Sequence, residues 1–366
     1  MKDYNSGKLR NVCLMSHGGA GKTTLAEAML FNTGAIDRFG KVTDGTTTTD
    51  YDPEEVKRKI SLSTAIAPCE WKDYKINIID TPGYFDFVGE TKQGIRVADS
   101  AIILVPAKGG VAVGTEKSWA YAVEQGIPRM FFVSKMDEEH ANFNEVYNQL
   151  VDTFGNGVVA FQIPIIEGEK FTGIVDVINL KAKKFDGNKL VDISIPGDLQ
   201  DRIDEIREAL KEAVAETDEA LMEKFFEGEE FTPEEIQKGL CLGIADGSIV
   251  PVFCGSAASN LGIHLLMDAI IEYMPAPNAK PTVKAKKPGS DDVIELKASP
   301  DGDLSVFVFK TIADPFVGKI SMFRVYSGTL KSDSVVYNSN SEKTEKISQL
   351  FMLRGKKQVP VDKLIA

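Results

Sequence analysis

Short apolar runs separated by segments of helical period constrain this chain more than any other feature. The runs recur at 12–15, 76–79, 101–105, 130–133 and 250–253, and helical segments at 23–31, 89–98, 115–125 and 143–154 separate most of them. Continuous apolar strands alternating with helices predict an α/β fold, a doubly wound and mostly parallel sheet covered on both faces. Such a sheet binds ligands beyond the carboxyl ends of its strands. Each polar motif of the chain falls at one of those ends.

The first run leads into Ser16-His17-Gly18-Gly19-Ala20-Gly21-Lys22-Thr23, followed by Thr24. This fits G-x-x-x-x-G-K-[ST] with serine in the first place. Backbone N–H groups from Gly18 to Thr23 can wrap α- and β-phosphates, and the helix beginning near Thr23 adds its positive end. Lys22 brings charge to the β- and γ-oxygens, and the Thr23 hydroxyl can ligate Mg²⁺. The run 76–79 ends in Asp80-Thr81-Pro82-Gly83, read on as DTPGYFDF. Asp80 can hold a phosphate-bound Mg²⁺, and Gly83 can bring a backbone N–H to the terminal phosphate. A lone G-K-T is common. Placed after a strand, before a helix and ahead of D-x-x-G, it points to a nucleotide switch.

After the run 130–133 comes Ser134-Lys135-Met136-Asp137. The Asp137 carboxylate can accept paired hydrogen bonds from guanine N1–H and the 2-amino group, whereas adenine offers no such pair. Leaving such a group unpaired is costly, so the discrimination is large. The Lys135 stem can lie along the base. After the last run, Cys254-Gly255-Ser256-Ala257 can offer a backbone N–H to guanine O6. In this order the motifs select GTP and GDP, with Mg²⁺, and disfavour ATP.

Composition narrows the class. The 366 residues suffice for about two or three domains. No stretch approaches the roughly 18–20 apolar residues of a membrane span, and residues 1–10 lack a signal-peptide core. No membrane partner is therefore expected. Four scattered cysteines without C-x-x-C, and only three histidines, argue for free thiols in a reducing cytoplasm rather than zinc or disulfides. A net charge of −12 argues against a nucleic-acid coat and against DNA, while leaving local contacts to RNA open.

The alternating rhythm breaks at 158–247. Strands are expected at 161–166 and 171–180, followed by an acidic helical stretch in which 198–235 holds 15 acidic and 4 basic residues. That charge reads as a solvated helix face or, more sharply, as a docking surface. The expected organisation is a nucleotide domain over 1–277 with an α+β insertion at 158–247, then a linker over 278–303. Met274-Pro275-Ala276-Pro277 leads into that linker. Short alternating runs at 306–310, 319–326, 334–337 and 345–350 predict a small all-β barrel over 304–366. The pattern stops at Ala366 without a closing element, so a truncated barrel and a longer chain are expected.

Further segments reinforce the motifs: LAEAML at 25–30, DGTTTTDY at 44–51, DTPGYFDFVGE at 80–90, FTGIVD at 171–176 and MEK at 222–224. CGSA at 254–257, DAI at 268–270, DPFVG at 314–318 and FRVYSG at 323–328 complete the set. On these residues the chain resembles elongation factor G and its close paralogues among the translational GTPases, over essentially its whole length. It is similar to the first two domains of that family, without the three that reach the decoding region. The resemblance implies a P-loop GTPase domain and ribosome-stimulated hydrolysis of GTP to GDP and phosphate, coupled to a translocation-like step. The alternative is a slow-turnover, GTP-dependent factor that protects or regulates the ribosome. The implied partners are the stalk protein, met by the insertion, and ribosomal RNA of the large subunit. A cytoplasmic monomer is expected.

The departures from the family are as informative as the matches. Ser134 stands where the family has asparagine and shortens that side chain's span. Arg58-Lys59-Ile60-Ser61-Leu62 corresponds to R-G-I-T-I, which puts Ser61 in place of a threonine that binds Mg²⁺ in the GTP state. Gly19 replaces an aspartate associated with a monovalent cation. Tyr84 replaces a histidine that positions the attacking water. A phenol ionises near pH 10 and is a poor base, although phosphoryl transfer depends mainly on positioning and charge stabilisation. The glycine-rich loop with DTPGY resembles a divergent subgroup of elongation-factor-G-like proteins. Lys22, Gly83 and Tyr84 are the expected catalytic groups.

Overall fold

The computed structural model describes residues 2–187, 189–280, 282–314 and 318–366, so positions 315–317 of DPFVG lie outside the described residues. The chain begins with β1 (Leu9–Ser16), α1 (Lys22–Asn32) and the short α2 (Pro53–Arg58). Proline at the first position of α2 and a reciprocal Asp52–Glu55 capping box set its start. Next come β2 (Ala65–Trp71) and β3 (Tyr74–Asp80), a hairpin the apolar pattern does not separate. Its two-residue turn, Lys72 and Asp73, has φ of 44° and 64°. Positive φ at both positions matches the twist of the flanking strands.

The alternation then runs α3 (Val88–Arg96), β4 (Ser100–Pro106), α4 (Val113–Glu124), β5 (Arg129–Ser134), α5 (Phe143–Phe154) and β6 (Val158–Ala160). A second sheet follows: β7 (Gln162–Glu167), β8 (Lys170–Asp176), β9 (Lys181–Asp186) and β10 (Lys189–Ile193), in the order β10-β9-β8-β7 and antiparallel throughout. Helices α6 (Gln200–Ala215), α7 (Glu219–Glu227) and α8 (Pro233–Asp246) lie between it and β11 (Val250–Cys254), and α9 (Ile263–Tyr273) ends this half. On α6, Ile203, Ile206, Leu210 and Val214 are buried at helical spacing, while Asp204, Glu205, Glu208 and Glu212 are exposed.

Among the described residues the large sheet has the order β2-β3-β1-β4-β5-β11-β6. Every pairing in it is parallel except β2 with β3. Crossovers leave β1 first toward β3 and then toward β4, so its carboxyl end opens where the winding reverses. The central strands are buried on both faces: Leu14, Ile78, Ile102, Phe131 and Phe132 are inaccessible to solvent. Each such side chain contributes roughly 1.5–3 kcal/mol. That core holds the strand ends rigid.

The remaining residues are β-rich. A hairpin of β12 (Val283–Lys286) and β13 (Val293–Leu296) lies in the segment read as a linker. Beyond it β14 (Ser305–Asp314) pairs antiparallel with β15 (Gly318–Ser327). Shorter antiparallel pairs follow, including β16 (Thr329–Lys331) with Lys363–Ile365, and Leu350–Arg354 with Lys357–Val361. Side chains tie this domain to the first. Arg324 donates to Asp99 Oδ1 at 2.7 Å and to Val97 O at 2.9 Å, and Arg354 donates to Ala35 O at 2.6 Å.

Candidate functional site

The loop after β1 turns on Gly19 (φ 81°) and Gly21 (φ 97°), left-handed values that side chains rarely adopt. Among the described residues no side chain caps the first turn of α1, which leaves that helix end suited to an anion. Lys22 is buried, and its Nζ donates to Ser16 Oγ at 2.8 Å. Burial draws the Lys22 pKa down, opposed by the charges of Asp80 and Asp50. Ala20 is buried, Thr24 is partly buried, and His17 is exposed against Gly114. The turn after β3 lies on this loop. A Cβ on Gly83 would stand 2.5 Å from Lys22 Nζ and 2.8 Å from Gly18 N. Thr81 Oγ1 donates to Leu14 O at 2.7 Å and anchors the turn to β1.

Asp80 gathers the hydroxyls. Its Oδ2 accepts from Thr49 Oγ1 at 2.7 Å and from Thr23 Oγ1 at 2.9 Å, and Thr23 Oγ1 lies 3.0 Å from Ser61 Oγ. Among the described residues, buried Asp80 Oδ1 has no hydrogen-bond partner. Burial raises the Asp80 pKa, against the hydrogen bond from Thr49 and the charge of Lys22. Burial also raises Asp50, to about 6, with the Asp80 charge adding to the effect and Ser61 and Thr23 opposing it. An orphaned carboxylate oxygen and two buried carboxyls among hydroxyls form an all-oxygen set that fits Mg²⁺. Thr23, Ser61 and Asp80 are thus together, as the motifs imply.

Buried carboxylates hold the segment that carries Thr49, Asp50 and Ser61. Glu27 of α1 accepts from Gly40 N at 3.1 Å and from Thr48 N at 2.8 Å. Glu55 Oε1 accepts from Leu62 N at 2.9 Å and from Ser63 N at 3.0 Å. Glu55 belongs to no quoted segment, LAEAML gives Glu27 no role, and DGTTTTDY alone gives Thr49 and Asp50 none. Their function in the site is a tertiary fact.

At the other end, Ser134 is buried and its Oγ donates to Ala20 O at 2.8 Å, tying β5 to the phosphate loop. Lys135 has φ of 61°, and its Nζ pairs with Glu138 at 2.9 Å. Asp137 Oδ2 accepts from Ser259 Oγ, a partner outside the CGSA motif. Ser256 N donates to Leu261 O at 2.9 Å and Leu261 N to Ser256 O at 2.8 Å, closing the loop that holds Ala257. Phosphate loop, Asp80 turn, Asp137 and Ala257 all lie at carboxyl ends of the large sheet.

Tyr84 and Phe85 follow the Gly83 turn and are 44% and 42% exposed. Phe85 meets His17 edge-on at 6.1 Å between ring centroids, and Lys117 Nζ lies 4.2 Å from the Phe85 ring.

Comparisons with known proteins bear on the fold and the family. Residues 7–276 match the model of the elongation factor Tu GTP binding domain, and residues 303–366 match elongation factor G domain 2. A solved structure from Thermus thermophilus is 34% identical with a TM-score of 0.87, covering 98% of this chain and 51% of that one. The chain therefore spans about half the length of that relative. The chain belongs to the translational GTPases of the elongation factor G type.

Proposed function

We propose that the protein binds GTP with Mg²⁺ and hydrolyses it to GDP and phosphate, stimulated by the ribosome and coupled to a translocation-like step. The supporting observation is that Thr23 from the phosphate loop and Thr49 from the segment before β2 meet at Asp80, with Ser61 of that segment against Thr23. A terminal phosphate bound beside Gly83 would report on all three.

Backbone N–H groups of 18–23 and the Lys22 ammonium take the phosphates. Thr23, Ser61 and Asp80, with Asp50 beside them, would hold Mg²⁺, which supplies charge stabilisation at the phosphate oxygens. Asp137, oriented by Ser259, reads guanine N1–H and the 2-amino group. Because Ser256 N–H is committed to Leu261, Ala257 N–H is assigned to O6. Lys135 covers the base, and Ser134 keeps β5 in register with the phosphate loop. Residues 1–277 form the nucleotide unit with 158–247 inserted, 278–303 the linker, and 304–366 part of a barrel. The partners are the stalk protein, at the insertion, and RNA of the large ribosomal subunit. The protein acts as a cytoplasmic monomer.

A second reading, slow turnover in a ribosome-protecting or regulatory factor, is favoured by one residue. Tyr84 can hold a water by hydrogen bonding but is a poor base at neutral pH. Equilibrium binding of GTP, GDP and ATP in Mg²⁺ tests the nucleotide assignment. GTP is expected to bind about a thousandfold tighter than ATP. Equal affinities would end the guanine reading.

A further inference from the structure

The glycines of the phosphate loop answer to different demands. Gly19 and Gly21 have φ values that need glycine, but Gly18 does not. What crowds a side chain at Gly18 is Tyr84. A Cβ there would stand 3.0 Å from Tyr84 Cε2 and Cζ and 3.3 Å from Cδ2. Ordinary carbon contacts lie at about 3.5–4.0 Å. The ring thus lies on bare backbone.

The neighbouring contacts hold the ring's starting point. Gly83 is pressed on Gly18 N and Lys22 Nζ, and Phe85 packs against His17. Phe87 N donates to Tyr84 O at 3.1 Å, closing the turn behind it. Tyr84 itself is 44% exposed, so surrounding core does not fix its side chain. Its ring packs on Gly18.

We propose that Gly18 is a positioning residue, the seat that places the Tyr84 ring at the terminal-phosphate end of the loop. The inference rests on the reading of this loop as a GTP site. GTP would place its last phosphate beside Gly83 and Lys22, next to the seated ring, whereas GDP would stop short of it. The Gly18–Tyr84 pair therefore distinguishes the two nucleotides, and Gly18 acts through Tyr84.

The test is equilibrium binding of GDP and a non-hydrolysable GTP analogue to the wild type, Gly18→Ala, Tyr84→Ala and the double variant. Gly18 is not among the left-handed glycines, so its φ does not bar alanine. Gly18→Ala is expected to weaken the analogue about fivefold relative to GDP, and to change that ratio by less than about twofold in the Tyr84→Ala background. With ¹³C-labelled tyrosine, the NMR signal lost in Tyr84→Ala is expected to shift in Gly18→Ala. An unchanged ratio, equal weakening of both nucleotides, an effect undiminished without Tyr84, or an unmoved Tyr84 signal would each overturn the proposal. Failure of the wild type to bind either guanine nucleotide would instead overturn the underlying site reading, and the proposal with it.

Discussion

The Lys310 ammonium of β14 lies 2.6 Å from the Glu90 carboxylate of α3, in a partly buried ion pair between the two domains. The same nitrogen donates to Thr64 O at 2.9 Å, and Glu90 Oε2 also accepts from Thr64 N at 2.6 Å. Thr64 lies just past Ser61, and Glu90 lies in the helix after Tyr84. One lysine of the second domain therefore holds both segments that reach the nucleotide site.

Lys310→Met should leave Glu90 without its buried partner. Breaking such pairs costs about 3–5 kcal/mol when both groups are deeply buried. Glu90 keeps 23% of its side chain exposed, so a loss of about 2–3 kcal/mol is expected in urea unfolding. A loss below about 0.5 kcal/mol would mean that solvent replaces the lysine freely.

Gly355, at φ 53° in the turn between Leu350–Arg354 and Lys357–Val361, donates to Ile66 O at 2.9 Å. A Cβ on it would overlap Thr48 O. Gly355→Ala should push this turn off the segment carrying Thr49 and destabilise the protein by about 1–3 kcal/mol. Amide exchange should rise across 44–63. Unchanged protection there would show that the segment does not lean on the second domain.

Asp137→Asn should abolish the preference for guanine and create affinity for xanthosine nucleotides, because an amide can donate where the carboxylate accepted. Competition between GTP and XTP measures it. A retained GTP preference would remove Asp137 from base recognition.

Lys75 of β3 lies beneath the second domain, its Nζ 3.8 Å from Met352 Sδ. Burial lowers its pKa to about 8, against the charges of Glu70 and Asp3. The unfolded chain holds that proton up to about pH 10.4. Between these values the unfolded state binds more protons, so this lysine destabilises the fold below pH 8 and the penalty fades as pH rises. Lys75→Met should therefore stabilise at pH 7 by about 1–3 kcal/mol and much less at pH 10. Equal gains in thermal melts at both values would refute the shift.

Much of the site is legible in the sequence because its chemistry is local. Ser16 to Thr23, Asp80 to Gly83 and Asp137, with the roles proposed for them, each lie within a few residues of a strand end. The alternation of apolar runs and helices likewise locates the large sheet. Thr49, Asp50, Glu27 and Ser259 are silent because each acts on a partner far away in sequence. The β2–β3 hairpin escapes the pattern because β2 carries Pro68 and Glu70 and follows no clean alternation. Gly18 is legible as a loop glycine but not as a seat for Tyr84, since that demand comes from packing rather than φ.

Multiple-turnover GTP hydrolysis by the protein, with and without ribosomes, is the decisive measurement. Turnover is predicted to rise at least about tenfold with ribosomes, and further in Tyr84→His. Turnover unchanged by ribosomes in both proteins would contradict a ribosome-stimulated GTPase.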